Sequence, residues 1–225
     1  MIENIELQLD HIKLSINVDS GATANPALLN PGHPLHYVRK MKASTIVYLN
    51  KVCELYRDVG TLKKVVEYCG GIGLIPIALK PLIHWESWRT VELDPACEPC
   101  YQCPEADFIL GSMYDPFLYP ETGLDLVIMD HPTNTLPKMW REPDRVKLLK
   151  ATADAKPRYW HITDVGYYWI HLANHWPIYQ ERFGVQVTRM NYHELFDRFM
   201  RENYGYKVVK WTVGGGAQYF LLEQV

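Results

Sequence analysis

V-V-E-Y-C-G-G-I-G, from Val65 to Gly73, decides how this 225-residue chain is read. Val65 and Val66 suit a buried strand, and the glycines that follow turn the backbone sharply into the apolar run Leu74 to Leu79, which opens a helix. Such a turn leaves backbone N–H groups pointing outward where no Cβ atom blocks a ligand. An acidic pair, Glu92 and Asp94, follows about one βα unit later in T-V-E-L-D-P. An ionised carboxylate accepts through two oxygens and donates nothing, so at the end of the next strand it suits both hydrogens of a ribose diol. The pairing predicts an adenosine-type ligand, with Glu92 as its ribose acid.

Two ligand classes compete for this turn. The dinucleotide fingerprint G-x-G-x-x-G/A places a small residue last, so that helix and strand pack closely. Gly71 and Gly73 fit it, but the last position holds Pro76, whose ring is a poor substitute although its missing N–H is harmless in a first helical turn. Glu67, four residues before Gly71, has no part in that fingerprint.

Together, Val65–Gly73, Glu92 and L-D-L-V-I-M-D-H-P-T from Leu124 to Thr133 resemble class I S-adenosylmethionine (SAM)-dependent methyltransferases, whose pattern is h-h-D/E-h-G-x-G-x-G. The resemblance spans roughly Leu62 to Val225. It implies S-adenosyl-L-methionine as cofactor, with Glu67 near the ligand's amino-acid portion and Cys69, Gly71 and Gly73 passing beneath it. Glu92 then lies at the ribose, with Leu93 beside it among the cofactor-binding residues, and Ser112 and Met113 at the adenine. Cys69 stands where the family usually has its first glycine, and Ser112 where it often has an acid. D-H-P-T, Asp130 to Thr133, is similar to the D-P-P-Y motif of enzymes that methylate amino groups of nucleic acids. His131 replaces a proline, and Thr133 replaces the aromatic residue that stacks on a flipped base. Cytosine C5 chemistry is disfavoured, because no Pro-Cys nucleophile occurs there.

Strand-like and helix-like runs alternate, which predicts an α/β fold: a Rossmann-like, mostly parallel sheet with helices on both faces. Strands are expected over 64–68, 89–93, 106–110, 124–129 and 158–163, with helices over 74–79 and from Pro143 toward Ala155. Tyr206–Val213 and Gln218–Leu222 flank Gly214, Gly215 and Gly216, which predicts a closing antiparallel hairpin. Residues 166–204 read as mostly helical, broken at Pro177 and at V-Q-V-T.

Residues 1–60 read as an N-terminal extension packed on a SAM-binding domain over 61–225. Alternating apolar residues, Ile5, Leu7 and Leu9 and then Ile12, Leu14, Ile16 and Val18, predict a hairpin. A loop rich in Pro, Gly and Asn follows, then one amphipathic helix using Val38, Met41, Leu49, Val52 and Tyr56 and ending at Gly60. The loop reads either as a cover for the ligand or as a solvated connector. With 48% hydrophobic residues the chain can bury a substantial core. No apolar run is long enough to span a bilayer and the N-terminus lacks a signal-peptide pattern, so a cytoplasmic protein that makes no use of a membrane is expected.

The five cysteines read as reduced thiols. Cys97, Cys100 and Cys103 have a C-x2-C-x2-C spacing open to zinc or an iron–sulfur cluster, but no fourth cysteine or second C-x2-C follows in reach, and packing against the sheet is the favoured reading. His171 and His175, at i and i+4, lack the H-E-x-x-H acid, and no metal is expected.

Chemistry is expected at Asp130, His131 and Pro132, beyond the fourth core strand, with Asp130 also among the cofactor-binding residues. Asp130 can accept the hydrogens of an exocyclic amine and hold its lone pair toward a methyl donor, with the main-chain carbonyl of His131 assisting; otherwise it caps a turn. A net charge of −3 is unlike a strong nucleic-acid binder. Locally, Lys138 to Arg158 hold seven Lys or Arg against three acids, with Trp140, Tyr159 and Trp160 interleaved. The 138–160 segment thus reads as either a nucleic-acid surface or a solvated helix face with core aromatics. Four functions remain open: methylation of a nucleic-acid amino group, methylation of a small-molecule N or O acceptor, a SAM-binding regulatory subunit without catalysis, and, last, a nicotinamide-dependent oxidoreductase.

Overall fold

The computed structural model describes residues 2–19, 34–114, 123–130, 136–164, 177–188 and 190–225. Contacts group the chain into two units, Met1–Met113 and Tyr114–Val225. A seven-stranded sheet and a separate two-stranded hairpin carry the fold.

In the first unit, β1 (Ile2–Gln8) and β2 (Lys13–Asp19) pair antiparallel, with Ile5 opposite Ile16 and Leu7 opposite Leu14. All four are buried with Leu9 and Val18, so the predicted alternation forms the hairpin's inner face. The single predicted helix is two: α1 (Pro34–Lys40) and α2 (Lys42–Tyr56). Met41 leaves helical geometry at φ −121°, ψ 40° and is 43% exposed, while Val38 and Thr45 on either side are buried. Bonds from Met41 N to Tyr37 O and from Thr45 N to Met41 O bridge the break, making it a one-residue kink that turns Met41 to solvent.

β3 (Leu62–Tyr68), α3 (Leu74–Leu79), β4 (Trp85–Glu92) and β5 (Asp107–Leu110) complete this unit, with β4 parallel to both β3 and β5. β4 begins four residues before the predicted start. Leu62 pairs with Trp85 and Lys64 with Ser87, so backbone pairing extends the strand through the exposed Glu86 and Ser87, which hydrophobic patterning cannot detect.

In the second unit, β6 (Leu126–Met129) runs parallel to β7 (Tyr159–Asp164), and β9 (Ala217–Gln224) lies antiparallel between β7 and β8 (Tyr206–Gly214). The predicted hairpin turn over Gly214, Gly215 and Gly216 is shorter than expected: Gly214 ends β8, and Gly215 (φ 58°) and Gly216 (φ 83°) form a two-residue turn, which needs positive φ at both positions. Helices α4 (Leu136–Arg141), α5 (Pro143–Ala155) and α6 (Tyr192–Tyr204), with a helical stretch over 177–183, accompany the strands. The fold is therefore the expected mostly parallel, Rossmann-like sheet with an antiparallel closing hairpin. Among the described residues, no helix is long and apolar enough to cross a membrane.

Gln218 on β9 is fully buried, and neither polar atom of its amide has a hydrogen-bond partner among the described residues. Because a sealed, unsatisfied amide destabilises, Gln218→Leu is expected to raise stability by about 1 kcal/mol in chemical denaturation; a less stable variant contradicts this reading.

Candidate functional site

The first unit brings most of the predicted ligand-binding residues to the carboxyl ends of β3, β4 and β5. β3 ends at Tyr68, and Cys69 takes φ 59°, a left-handed backbone that costs a side-chain-bearing residue about 1–2 kcal/mol. That cost accounts for the glycine the resemblance leads one to expect here. Gly71 (φ 56°) and Gly73 (φ 75°) continue the turn, which closes with a bond from Gly73 N to Gly70 O before α3 begins.

The glycines are required by what lies against them. A Cβ at Gly70 would stand 2.5 Å from Thr90 Cγ2 and 2.6 Å from Glu67 Cδ, and one at Gly73 would stand 2.6 Å from the Tyr101 ring. Glu67 is fully buried, and its Oε2 accepts from Trp88 Nε1 at 3.0 Å and Thr90 Oγ1 at 2.9 Å. Thr90 Oγ1 also lies 2.6 Å from Tyr101 Oη. Burial, then the Glu67 charge, push the Tyr101 phenol far above its ordinary range, so it stays protonated. Nothing local to Tyr101 or Thr90 marked them in the sequence, because their roles arise only from contact.

Glu92, the last residue of β4, joins the turn to the next loop. Its Oε2 accepts from Gly71 N at 2.9 Å, and its Oε1 from Leu93 N at 2.8 Å and Asp94 N at 3.0 Å. Leu93 is 71% exposed beside it. The strand after the cysteine loop closes the group: Gly111 N donates to Glu92 O, and Cys69 Sγ lies 3.7 Å from Met113 Sδ, with Ser112 between Gly111 and Met113. Glu92→Ala is expected to weaken binding of an adenosine ligand by about 1–3 kcal/mol, because it removes a charge-assisted acceptor and frees three backbone donors. Titration calorimetry reads this directly, and an unchanged Kd would show that the acid is misplaced.

Cys97 and Cys100 lie in a 3₁₀ turn, Pro95–Cys100, capped by Asp94, whose side chain accepts from Ala96 N. Both are buried, as is Cys103. Burial pushes the Cys53 and Cys97 thiols up to about 12 and Cys103 to about 11. The unfolded chain releases these protons near 9, so it binds fewer protons than the folded chain between about 9 and 12, and stability falls as pH rises through that window. At pH 8, iodoacetamide is expected to label the exposed Cys69 alone among the five cysteines within minutes and the four buried ones only on unfolding, as peptide mass mapping would show. Fast labelling of Cys97 or Cys103 contradicts their packing role.

In the second unit Asp130 follows β6 and is 7% exposed. His131, Pro132, Thr133, His171 and His175 lie outside the described residues. In the basic segment, Trp140 packs edge-on against Tyr179 and Phe183, and fully buried Trp160 against Tyr204 and Tyr206. These two indoles belong to the packing rather than to a stacking platform. Arg141 pairs with Glu181 and Arg145 with Glu142, while Lys147, Lys150, Lys156 and Arg158 are exposed.

No protein-family model and no curated protein sequence matches the chain. Solved structures do. The N-methyltransferase NodS from Bradyrhizobium japonicum, solved with S-adenosyl-L-homocysteine (SAH), gives a TM-score of 0.54 at 10% identity over 92% of this chain and 99% of that one. The class I methyltransferase fold is shown. NcsB1, an O-methyltransferase of neocarzinostatin biosynthesis in complex with SAM and 2-hydroxy-5-methyl naphthoic acid, gives 0.52 at 14% identity over 92% and 60%. A provisionally assigned RNA methyltransferase from Pyrococcus horikoshii gives 0.51 at 11% over 79% and 82%. The three differ in acceptor, so the shared fold leaves the acceptor of this chain open.

Proposed function

We propose that this protein binds S-adenosyl-L-methionine and transfers its methyl group, with an amino group of a nucleic-acid base as acceptor. The observation that carries the first part is the Glu92 carboxylate at the carboxyl end of β4, spanning the glycine turn and the Leu93–Asp94 backbone. A carboxylate has about four acceptor positions and three are used here, two on Oε1 and one on Oε2, so a diol that engages both oxygens takes the free position on Oε2 and competes with the Leu93 or Asp94 N–H on Oε1. Glu67, Cys69, Gly71 and Gly73 would hold the amino-acid end, Glu92 and Leu93 the ribose, and Ser112 and Met113 the adenine. Bound there, the cofactor supplies an electrophilic methyl on a sulfonium.

The chain's remaining task is to position a nucleophile in a dry site. Asp130 accepts the amine's hydrogens, keeps its lone pair directed and stabilises the positive charge that develops on nitrogen. His131 and Pro132 complete this segment, the histidine through its carbonyl. The exposed Lys147, Lys150, Lys156 and Arg158 favour a phosphate backbone. Transfer of a labelled methyl group to short RNA and DNA tests the acceptor. Binding at low salt that weakens steeply with added salt supports it, whereas methylation of a metabolite without any low-salt oligonucleotide binding replaces it with a small-molecule acceptor. Cofactor binding without turnover across broad acceptor panels would favour a regulatory subunit, a reading that Cys69, Ser112 and Thr133 motivate.

A further inference from the structure

Gly70 and Gly73, both with crowded Cβ positions, rest on one hydrogen-bonded chain. Gly70 abuts Glu67 and Thr90, Gly73 abuts Tyr101, and these three side chains are bonded in series. The proton order of the series follows from valence. Thr90 spends its single hydrogen on Glu67 Oε2, so the Tyr101 hydroxyl must donate to Thr90 Oγ1. Tyr101 is therefore the terminal donor that fixes the Thr90 hydroxyl rotor, and through it the orientation of the carboxylate. Its ring is held edge-on against Phe108 at 5.1 Å. Two further bonds anchor the segment behind it. Gln102 N donates to Ile72 O inside the turn, and the Gln102 side chain bonds Asn17 N and Asn17 O on the N-terminal hairpin. The ribose acid Glu92 has none of these partners and is held by the turn's Gly71 N–H and by the backbone of the Leu93–Asp94 loop.

We infer that Tyr101, acting through Thr90 on Glu67, is a positioning residue for the amino-acid end of the cofactor, separate from the ribose end held by Glu92. The inference rests on the cofactor reading above. A carboxylate lies buried under the turn that is proposed to carry the amino-acid end, and its orientation depends on a phenol about thirty residues away.

Two probes separate the ends: SAH, which has the amino-acid portion, and 5′-methylthioadenosine, which lacks it. Tyr101→Phe removes only the terminal donor. It is expected to raise the Kd for SAH about tenfold while leaving that for methylthioadenosine within about twofold. Thr90→Val is expected to reproduce the selective loss, Thr90→Ser to retain most wild-type affinity, and the Tyr101→Phe/Thr90→Val pair to be no worse than Thr90→Val alone, as for groups acting in series. Equal losses for both ligands would overturn the inference in favour of a general structural role, and so would unchanged SAH affinity. If wild-type protein binds methylthioadenosine but not SAH, the inference fails while the adenosine site stands; if it binds neither, the cofactor reading itself fails.

Discussion

Asp130→Ala is expected to lower methyl transfer by about 10²- to 10⁴-fold while the Kd for SAH stays within about threefold. The residue follows β6 at the carboxyl end of a parallel strand, where ligands of open α/β sheets bind, and its buried carboxylate can orient an amine only while charged. Asp130→Asn keeps shape and one acceptor but loses the charge, so a rate between those of alanine and wild type is expected. Single-turnover kinetics with saturating cofactor separates chemistry from binding. Full activity in Asp130→Ala would remove it from the chemistry and leave it a turn-bracing acid.

Gly73→Ala carries the largest expected effect on folding. The residue sits at φ 75°, where an added Cβ costs about 1–2 kcal/mol from the backbone alone, and that Cβ would stand 2.6 Å from Tyr101 Cε2. Overpacking adds about 1–3 kcal/mol, since the ring is held by Phe108 and its hydroxyl bond to Thr90 and cannot simply swing away. A loss of about 2–5 kcal/mol is expected in urea unfolding, accompanied by loss of SAH binding. Gly184→Ala (φ 70°, with open space around its Cβ) isolates the backbone cost and is expected to lose only about 1–2 kcal/mol. Equal losses in the two variants would show that Tyr101 does not crowd the turn.

Much of this was legible in the sequence because the signals were local. The β-branched run into the glycines of residues 70–73 fixed a strand, a turn and a helix, and Leu74–Leu79 forms the helix expected. The three glycines at 214–216 announced the closing hairpin, and Pro143 the start of α5. Where backbone pairing or tertiary contact decides, the sequence was silent. β4 runs back to Trp85 because Leu62 and Lys64 offer it partners, and the kink at Met41 leaves the apolar repeat unbroken. At the candidate site, the strand-end position of Glu92 could be read from its spacing, since a strand end after a glycine turn is a position on the chain. The Tyr101–Thr90–Glu67 series could not, because it joins the floor of the turn to a loop about thirty residues downstream through contacts that leave no local pattern. The aromatics of the basic segment show the same limit: composition suits either stacking or packing, and only the contacts of Trp140 and Trp160 assign them to packing.

The central claim is that the turn from Cys69 to Gly73 and the Glu92 carboxylate form an S-adenosyl site. Titration calorimetry of the full chain with SAH, with NAD as the competing ligand class, tests it most directly. Saturable one-to-one binding of SAH that is weakened in Glu92→Ala, with no heat from NAD, is the predicted result. Binding of NAD in place of SAH, or no binding of SAH at millimolar concentration, would contradict it.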